Sequence, residues 1–247
     1  MRLTVVGSAG SYGSAGVLCS SYLVQSGETS LLMDIGNGSF SALAKIIEPG
    51  EIDAVFISHR HHDHLADLIS LYHYLLFVPG ARIKRTRLLA SAETFEAMAA
   101  IFGVKLEAIF ELEVVAPENQ INLGPLRMDF ARADHIAGTL SCKVTEERDV
   151  SLGYTADTGF TASLAEFFYG VEILIGESTW VLRPERVPKG SHMAAAELGE
   201  MANAARVKRL IVSHVAFPGT AKAAAELVRT TCKATVIAAK DGLVVEI

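Results

Sequence analysis

Four side chains of types that bind metal ions lie within six residues, directly after a short apolar run. They are His59, His61, Asp63 and His64, and the run at 52–57 has the length and composition of a buried strand. In an extended chain His59 and His61 point to one side, while Asp63 and His64 begin the next predicted helix. Imidazole and carboxylate ligands suit zinc, and also manganese or iron. The cluster therefore predicts a metal site.

Three further candidate ligands follow other predicted strands. His135 follows the strand at 126–131, Asp157 follows the strand at 150–154, and His214 follows the strand at 207–212. Ligand sites in α/β folds gather outside the carboxyl ends of strands. Together with the cluster, these residues supply enough ligands for two metal ions, one of them completed by a bridging carboxylate.

Other residues near these positions have less specific patterns. Asp34, at the end of the run 29–33, is expected to accept a hydrogen bond from a ligand histidine. His62 and His73 are expected to lie outside the site, and Trp180 fits either a pocket wall or the core. The three cysteines, Cys19, Cys142 and Cys232, are far apart, so they predict neither a disulfide framework nor a zinc–thiolate site.

The ligand order resembles that of the metallo-β-lactamase superfamily. The matching residues are His59-x-His61-x-Asp63-His64, then His135, then Asp157 within Tyr154-Thr155-Ala156-Asp157-Thr158-Gly159, then His214. The resemblance begins at Gly7-Ser8-Ala9-Gly10 and covers nearly the whole chain. It is greatest to the ribonuclease Z and phosphodiesterase branch, because Glu177-Ser178-Thr179 and His192-Met193-Ala194 match two further motifs of that branch.

This resemblance implies a four-layer αβ/βα sandwich that binds two divalent metal ions, zinc first and manganese or iron as alternatives. Six side chains would each bind one ion: His59, His61 and His135 the first, and Asp63, His64 and His214 the second. Asp157 would bridge the two ions, and a hydroxide held between them would attack the substrate. Asp63 would orient or deprotonate the water. His192, tuned by Glu177, would donate a proton to the leaving oxygen.

The elements that must position these residues alternate along the chain, which predicts mixed sheets with helices packed on their faces in one α/β domain, 1–247. Predicted strands cover 2–6, 18–25, 29–33, 52–57, 87–90, 112–115, 126–131, 139–145, 150–154, 171–175, 207–212, 235–238 and 243–246. Predicted helices cover 39–47, 64–77, 92–102, 161–168, 193–205 and 220–229. Neither a linker nor a fixed-period repeat divides the sequence.

Composition and spacing favour a small substrate over tRNA. The formal net charge of -6 gives no broad attraction for nucleic acid or anionic membranes. Only residues 180–191 separate the Glu177 motif from His192, which is too short for the tRNA-gripping arm of ribonuclease Z. We therefore expect a phosphodiesterase for small phosphodiesters such as cyclic nucleotides, with RNA as a possible second partner.

The same sequence predicts a cytoplasmic protein that does not contact membranes. No apolar stretch approaches the roughly 20 residues that span a bilayer, and the beginning of the sequence lacks a signal-peptide pattern. A homodimer is expected, because dimers are common in the branch that the sequence resembles.

Several alternatives remain open. An arm-less ribonuclease would be favoured by a basic patch near the metals, for which Arg60, Lys84, Arg85 and Arg87 are the candidates. A lactonase or thioesterase would want a wide apolar pocket and would need His192 less. A non-catalytic relative would have lost ligands, and a di-iron oxygen-reducing relative would replace a histidine of the cluster by a carboxylate. Neither change is present.

Overall fold

Two seven-stranded mixed sheets form the centre of the computed structural model, which describes residues 1–81, 83–146, 150–185, 187, 189–216 and 219–247. Within these residues the first sheet contains β1 Arg2–Gly7, β2 Ser21–Ser26, β3 Thr29–Met33, β4 Ala54–Phe56, β5 Arg87–Ala90, β6 Glu111–Val114 and β14 Val244–Glu246. The second contains β7 Gln120–Leu123, β8 Leu126–Arg132, β9 Leu140–Glu146, β10 Val150–Tyr154, β11 Ile173–Glu177, β12 Arg209–Ser213 and β13 Thr235–Ala238.

Both sheets follow the same plan. The first has the order β14-β1-β2-β3-β4-β5-β6, in which the pairs from β14 to β3 are antiparallel and those from β3 to β6 are parallel. The second has the order β13-β12-β11-β10-β9-β8-β7, antiparallel from β7 to β10 and parallel from β10 to β13. Parallel neighbours end at the same edge, so each sheet presents a row of carboxyl ends where loops can meet.

Helices cover the outer faces of the sheets. They are α1 Ser39–Leu43, α2 His62–Leu65, α3 Leu68–Phe77, α4 Ala92–Phe102, α5 Ala162–Phe167, α6 Ala195–Ala204 and α7 Ala221–Val228, with 3-10 turns at Pro49–Glu51 and Leu106–Ala108. None of the helices described is both long and apolar enough to cross a membrane.

Three buried apolar clusters define four layers. The inner cluster lies between the sheets, where the rings of Phe56 and Phe130 have centroids 5.3 Å apart. A second cluster joins the first sheet to α1, α3 and α4, and a third joins the second sheet to α5, α6 and α7. Along β3, Leu31 and Met33 face the inner cluster and Leu32 faces the helices. Strands buried on both faces explain the continuous apolar runs of the sequence and confirm the expected αβ/βα sandwich.

The structure corrects several predicted elements. The predicted helix 64–77 is two helices, because the Asp67 N–H donates to the Ile35 carbonyl (3.0 Å) and its carboxylate accepts from the Phe40 N–H (2.9 Å). Residues 18–20 lie outside β2, since Leu18 N–H donates to Asp241 at 2.7 Å. β7 was missed because its four residues alternate between exposed and buried, too short a pattern to recognise.

Replacement of the fully buried Leu32 by alanine should lower the free energy of unfolding by about 2–5 kcal/mol, since it leaves a cavity between sheet and helices. The matched substitution Leu76→Ala removes a side chain on α3 that is 45 % exposed. It should change the free energy of unfolding by less than about 0.5 kcal/mol. Urea unfolding followed by circular dichroism measures both. Equal losses would contradict the layer assignment.

Candidate metal centre

The candidate ligands converge at the edge where the parallel strands end. His59 follows β4, and the loop after it leads directly through His61 into α2, which carries Asp63 and His64. Asp157 follows β10 and His214 follows β12, on the facing sheet. His135 lies in the connection between β8 and β9, which brings it to the same edge. All seven predicted ligand residues thus come together, contributed by both sheets.

Asp157 lies between two groups of donors. One group is His59, His61 and His135, the other is Asp63, His64 and His214, and in each group the candidate ligand atoms and one from Asp157 lie within 4.8 Å of one another. Asp157 Oδ2 is 3.6 Å from His59 Nε2 and 3.8 Å from His135 Nε2. Its other oxygen, Oδ1, is 3.1 Å from both His64 Nε2 and His214 Nε2. The two oxygens are divided between the groups, the geometry that a bridging carboxylate requires.

The donor set fits divalent cations. His59 Nε2 is buried and has no hydrogen-bond partner among the described residues, an arrangement that is costly without a ligand. His135 Nε2 faces His61 Nδ1 at 3.1 Å, and His64 Nε2 faces His214 Nε2 at the same distance, so nitrogen lone pairs converge. Imidazoles with carboxylates and without thiolates suit zinc, manganese or iron.

Hydrogen bonds at the opposite ring nitrogens orient four of the imidazoles. His64 Nδ1 donates to Asp34 Oδ2 at 2.7 Å, the contact expected from the sequence. His135 Nδ1 donates to the Ser191 carbonyl at 2.9 Å. His59 Nδ1 is 3.1 Å from Ser58 Oγ, and His214 Nδ1 is 3.2 Å from Thr179 Oγ1. Such contacts fix the ring orientation and leave the other nitrogen for a metal.

Sequence reasoning missed most of these supporting residues. Thr179 lies inside the Glu177-Ser178-Thr179 motif, which gave a signal for its position but not for its contact with His214. Ser58 directly precedes His59, and a serine there has no distinctive pattern. The Ser191 contribution is a backbone carbonyl, which no side-chain motif reports.

Asp34 joins both sheets to the site. Its carboxylate is fully buried; Oδ1 accepts from Ser58 N–H at 2.7 Å and Oδ2 accepts from Ser58 Oγ at 2.7 Å. Oδ2 also accepts from the Tyr154 hydroxyl at 2.5 Å, across the interface between the sheets. Burial and the nearby Asp34 charge raise the pKa of Tyr154 well above its usual value, so this phenol remains a donor.

The electrostatics of the cluster favour a bound cation. Burial lowers the pKa of His59 well below its ordinary value and lowers the pKa of His135 to about 4, so both imidazoles are neutral ligands at physiological pH. Burial alone would raise the pKa of Asp157, but the imidazoles of His214 and His64 hold it far below its usual range. Burial acts against protonated His64 too, yet neighbouring carboxylates raise its pKa well above normal.

Backbone strain concentrates at this edge. Six non-glycine residues of the described chain have positive φ, and five of them contact or belong to the site: Ser11 (64°), Asp34 (58°), Ala156 (52°), Ser191 (57°) and His214 (54°). Ser11 N–H donates to Asp63 Oδ2 at 2.6 Å. Strained residues of this kind persist where the surrounding contacts hold them, and they cluster at functional sites.

Glu177 and His192 stand beside the donor groups. Glu177 ends β11 and is 2 % exposed. Its carboxylate accepts from the N–H groups of Thr158 (3.1 Å), Met193 (3.1 Å) and Thr179 (2.8 Å). His192 Nδ1 is 3.1 Å from Glu177 Oε1, and its ring centroid is 4.7 Å from that of His135. The structure therefore brings both predicted residues to the centre.

The remaining predicted residues lie elsewhere. His62 is exposed, and His73 is exposed and stacked on Phe77 with centroids 5.7 Å apart. Trp180 is half-buried and forms a backbone bridge with Ala194.

Three of the four candidates for a basic patch near the metals, which would have favoured an arm-less ribonuclease, lie away from the site. Arg87 begins β5, so Lys84, Arg85 and Arg87 lie at the amino end of that strand, opposite the site. Lys84 binds Asp53, directly before β4, at 2.6 Å, and Arg87 binds Glu113 on β6 at 2.5 Å. Only Arg60 is exposed next to a candidate ligand.

Comparisons with known proteins show the family of this chain. The family model described as "Beta-lactamase superfamily domain" matches residues 31–215. A probable metallo-hydrolase of Bacillus subtilis, YhfI, is 28% identical over 252 residues, covering 100% of both chains. Its crystal structure superposes with a TM-score of 0.88, at 25% identity, covering 98% of this chain and 97% of that one.

Two further proteins are similar to this chain. Ribonuclease Z of Methanopyrus kandleri is 25% identical over 260 residues, covering 91% of this chain and 90% of its own. A diphosphatase from the PhnP family has a similar fold, with a TM-score of 0.78 and 21% identity, covering 100% of this chain and 97% of that one. The chain belongs to the metallo-β-lactamase superfamily, and it is similar to ribonuclease Z over most of its length. It is a metal-dependent hydrolase.

Replacement of Asp34 by asparagine should weaken zinc binding about 10- to 100-fold, because the amide presents hydrogens where His64, Ser58 and Tyr154 donate. Competition with a chromophoric chelator measures the affinity. Asp53→Asn, a half-buried carboxylate at the opposite end of the strands, is the matched control and should keep wild-type affinity. An unchanged affinity in Asp34→Asn would contradict the orienting role.

Zinc should raise the unfolding temperature of chelator-treated protein, since a cation compensates the buried Asp157 carboxylate. At a free concentration about 100 times Kd, the stabilisation is about 2.7 kcal/mol. Scanning calorimetry measures it without any substrate. Asp157→Asn should lose most of this shift, whereas Asp129→Asn on β8 should retain it. Identical shifts in both variants would mean that zinc binds elsewhere.

Proposed function

We propose that the protein is a two-metal phosphodiesterase that acts on small phosphodiesters such as cyclic nucleotides. The observation that carries the proposal is the imidazole of His192, held beside both donor groups by Glu177 and Thr179. Hydrolysis of a phosphodiester expels an alkoxide, and a proton donor at this position assists that step.

The seven clustered side chains would hold the metals, with His59, His61 and His135 on one ion, Asp63, His64 and His214 on the other, and Asp157 on both. Zinc is the expected metal, with manganese or iron as alternatives. When bound, two such ions lower the pKa of water towards neutrality and neutralise charge that develops on the phosphate.

Asp63 would orient the attacking water. Its Oδ2 is fixed by the Ser11 N–H at 2.6 Å and lies 3.1 Å from His214 Nε2. The neighbouring imidazoles hold the pKa of Asp63 below its ordinary range against the effect of burial, so the carboxylate is available as an acceptor.

His192 would donate the proton to the leaving oxygen. Its Nδ1 is engaged by Glu177 Oε1 at 3.1 Å and Thr179 Oγ1 at 3.0 Å. Because an ionised carboxylate can only accept, this contact would hold one proton on Nδ1, and the proton given to the leaving oxygen would be a second one, on Nε2 of the imidazolium. The side chain is 23% exposed, which makes it reachable from the cleft.

A cavity next to His214 has room for the rest of a small substrate. Its volume is about 670 Å³, and its walls include Ala9, Val17, Val215 and Ala239. Its wall residue Ser8 accepts from the His214 N–H at 2.9 Å, and its wall residue Val215 directly follows His214; none of the seven candidate ligands is itself among the described wall residues. This size is typical of small-molecule sites.

The charge at this cavity supports an anionic ligand. Lys222 and Lys240 line it and are exposed, whereas the carboxylate of Asp241, which also lines it, accepts hydrogen bonds from Ser8 Oγ and Leu18 N–H. Apolar walls with two cations suit a nucleoside that carries phosphate. Lys84, Arg85 and Arg87 lie at the opposite end of their strand, so they give no support to an RNA substrate.

The apolar walls also favour a second candidate, a lactonase or thioesterase that uses the same metal ligands. Acyl transfer from a thioester has a good leaving group and does not require a proton donor. The two functions therefore differ in what they demand of His192.

The test compares His192→Ala with wild type on 3′,5′-cyclic AMP, which expels an alkoxide, and on bis(p-nitrophenyl) phosphate, which expels a weakly basic phenolate. The variant should lose about 100-fold or more in kcat/KM on the cyclic nucleotide and less than about tenfold on the aryl ester. A lactone, a thioester and an RNA oligonucleotide are assayed alongside.

Asp157→Ala should be inactive on every substrate, and His73→Ala, an exposed histidine on α3, should behave as wild type. Turnover of the lactone or thioester without phosphodiester turnover would overturn the proposal in favour of the second candidate. Equal losses on both phosphodiesters in His192→Ala would remove the donor role.

A further inference from the structure

The segment that carries His192 is held in an unusual conformation. Gly190 and Ser191 have φ of 102° and 57°, and His192 N–H donates to the Gly190 carbonyl at 2.6 Å. A left-handed serine is unfavourable in isolation, so neighbouring groups must stabilise it. The segment ends at Ala194, directly before α6.

Two consecutive peptide groups of this segment form hydrogen bonds with His135 and with Glu177. The Ser191 carbonyl accepts from His135 Nδ1 at 2.9 Å, and Met193 N–H donates to Glu177 Oε1 at 3.1 Å. The side chain of His192 lies between these two contacts. A small rotation of its peptide would therefore move the imidazole away from Glu177.

Arg183 binds the peptide group between His192 and Met193. Its Nη2 donates to the His192 carbonyl and to Glu197 Oε2, the latter at 2.6 Å. Glu197 Oε2 also accepts from Ala194 N–H at 2.8 Å, at the beginning of α6. Arg183 and Glu197 side chains are each 12% exposed, so the pair is well shielded from water. The guanidinium thus joins the His192 carbonyl to the first turn of a helix.

We propose that Arg183 is a positioning residue that fixes the His192 imidazole for proton donation. The inference rests on the proposed function, because it gives His192 the donor role. The hydrogen bonds of Arg183 to described residues go to the His192 carbonyl and to Glu197, and none of these goes to a candidate metal ligand. Its planar group can bind the carbonyl and the carboxylate together, which a lysine ammonium achieves less well.

The experiment measures kcat/KM of the zinc enzyme on methyl aryl phosphates whose leaving groups are p-nitrophenol, 4-chlorophenol and phenol. Wild type, Arg183→Met, Arg183→Lys, His192→Ala and the double variant His192→Ala/Arg183→Met are compared. Arg127→Met, an exposed arginine paired with Asp129 on β8, is the matched control. Zinc content and unfolding temperature are recorded for every variant.

In Arg183→Met, kcat/KM should fall about tenfold on the phenyl ester and less than about threefold on the p-nitrophenyl ester. The loss is smaller than that from removing the proton donor itself, because the imidazole is still present. Arg183→Lys should recover some of that loss. The double variant should be no slower than His192→Ala, because Arg183 acts only through His192. Arg127→Met should match wild type on all three esters.

The outcomes separate the inference from the proposed function. If His192→Ala shows no extra loss on the phenyl ester, the donor role fails and the inference fails with it. If His192→Ala shows that loss and Arg183→Met does not, the donor role stands and only the inference is wrong. If Arg183→Met lowers kcat/KM equally on all three esters, or if its loss adds to that of His192→Ala, Arg183 supports the fold or the metal ligands. Either result would overturn the positioning role.

Discussion

A carboxylate that is 1% exposed, Asp157, sets the conditions for the whole site. A buried anion is tolerated only where positive charge or donors compensate it, and here imidazoles approach both of its oxygens. Those imidazoles come from both sheets, so the charge can be compensated only when the two sheets are stacked with their parallel ends at the same edge. The donor groups therefore assemble only when the two sheets of the sandwich are packed together.

The edge is held by buried polar contacts that cross between the sheets. Asp34 accepts from Tyr154, and the Tyr22 hydroxyl lies 2.7 Å from Ser213 Oγ, directly before His214. These bonds offset the cost of positive φ at Asp34 and His214. The stability of the apolar layers thus compensates for the backbone strain at Asp34 and His214, beside the candidate metal ligands.

Much of this could be predicted from the sequence, for physical reasons that particular residues illustrate. The motif from His59 to His64 is contiguous, and the strands before Asp157 and His214 are apolar runs, so local pattern was sufficient to place them. The break at Asp67 depends on the Ile35 carbonyl and Phe40 N–H, which are distant in sequence. The contacts of Ser191 and Arg183 depend on backbone carbonyls, and a sequence of side chains does not report where a carbonyl points. The end of the sheet at which Lys84, Arg85 and Arg87 lie could not be read from their spacing, because it depends on the topology of the sheet.

The proposed proton donor His192 and the candidate metal ligand His135 are held by the same segment of backbone, which limits the substitutions that this segment can accept. Ser191 orients His135 through its carbonyl, while the next residue is His192 itself. A substitution that shifts this segment would disturb a candidate ligand and the candidate proton donor together. Contacts placed at one end of the segment, such as that of Arg183 with the His192 carbonyl, can adjust the donor while the Ser191 carbonyl stays on His135. Changes in substrate preference are therefore easier to accommodate in residues 180–185 and around the cavity near Val215 than in the strand ends that carry the candidate metal ligands.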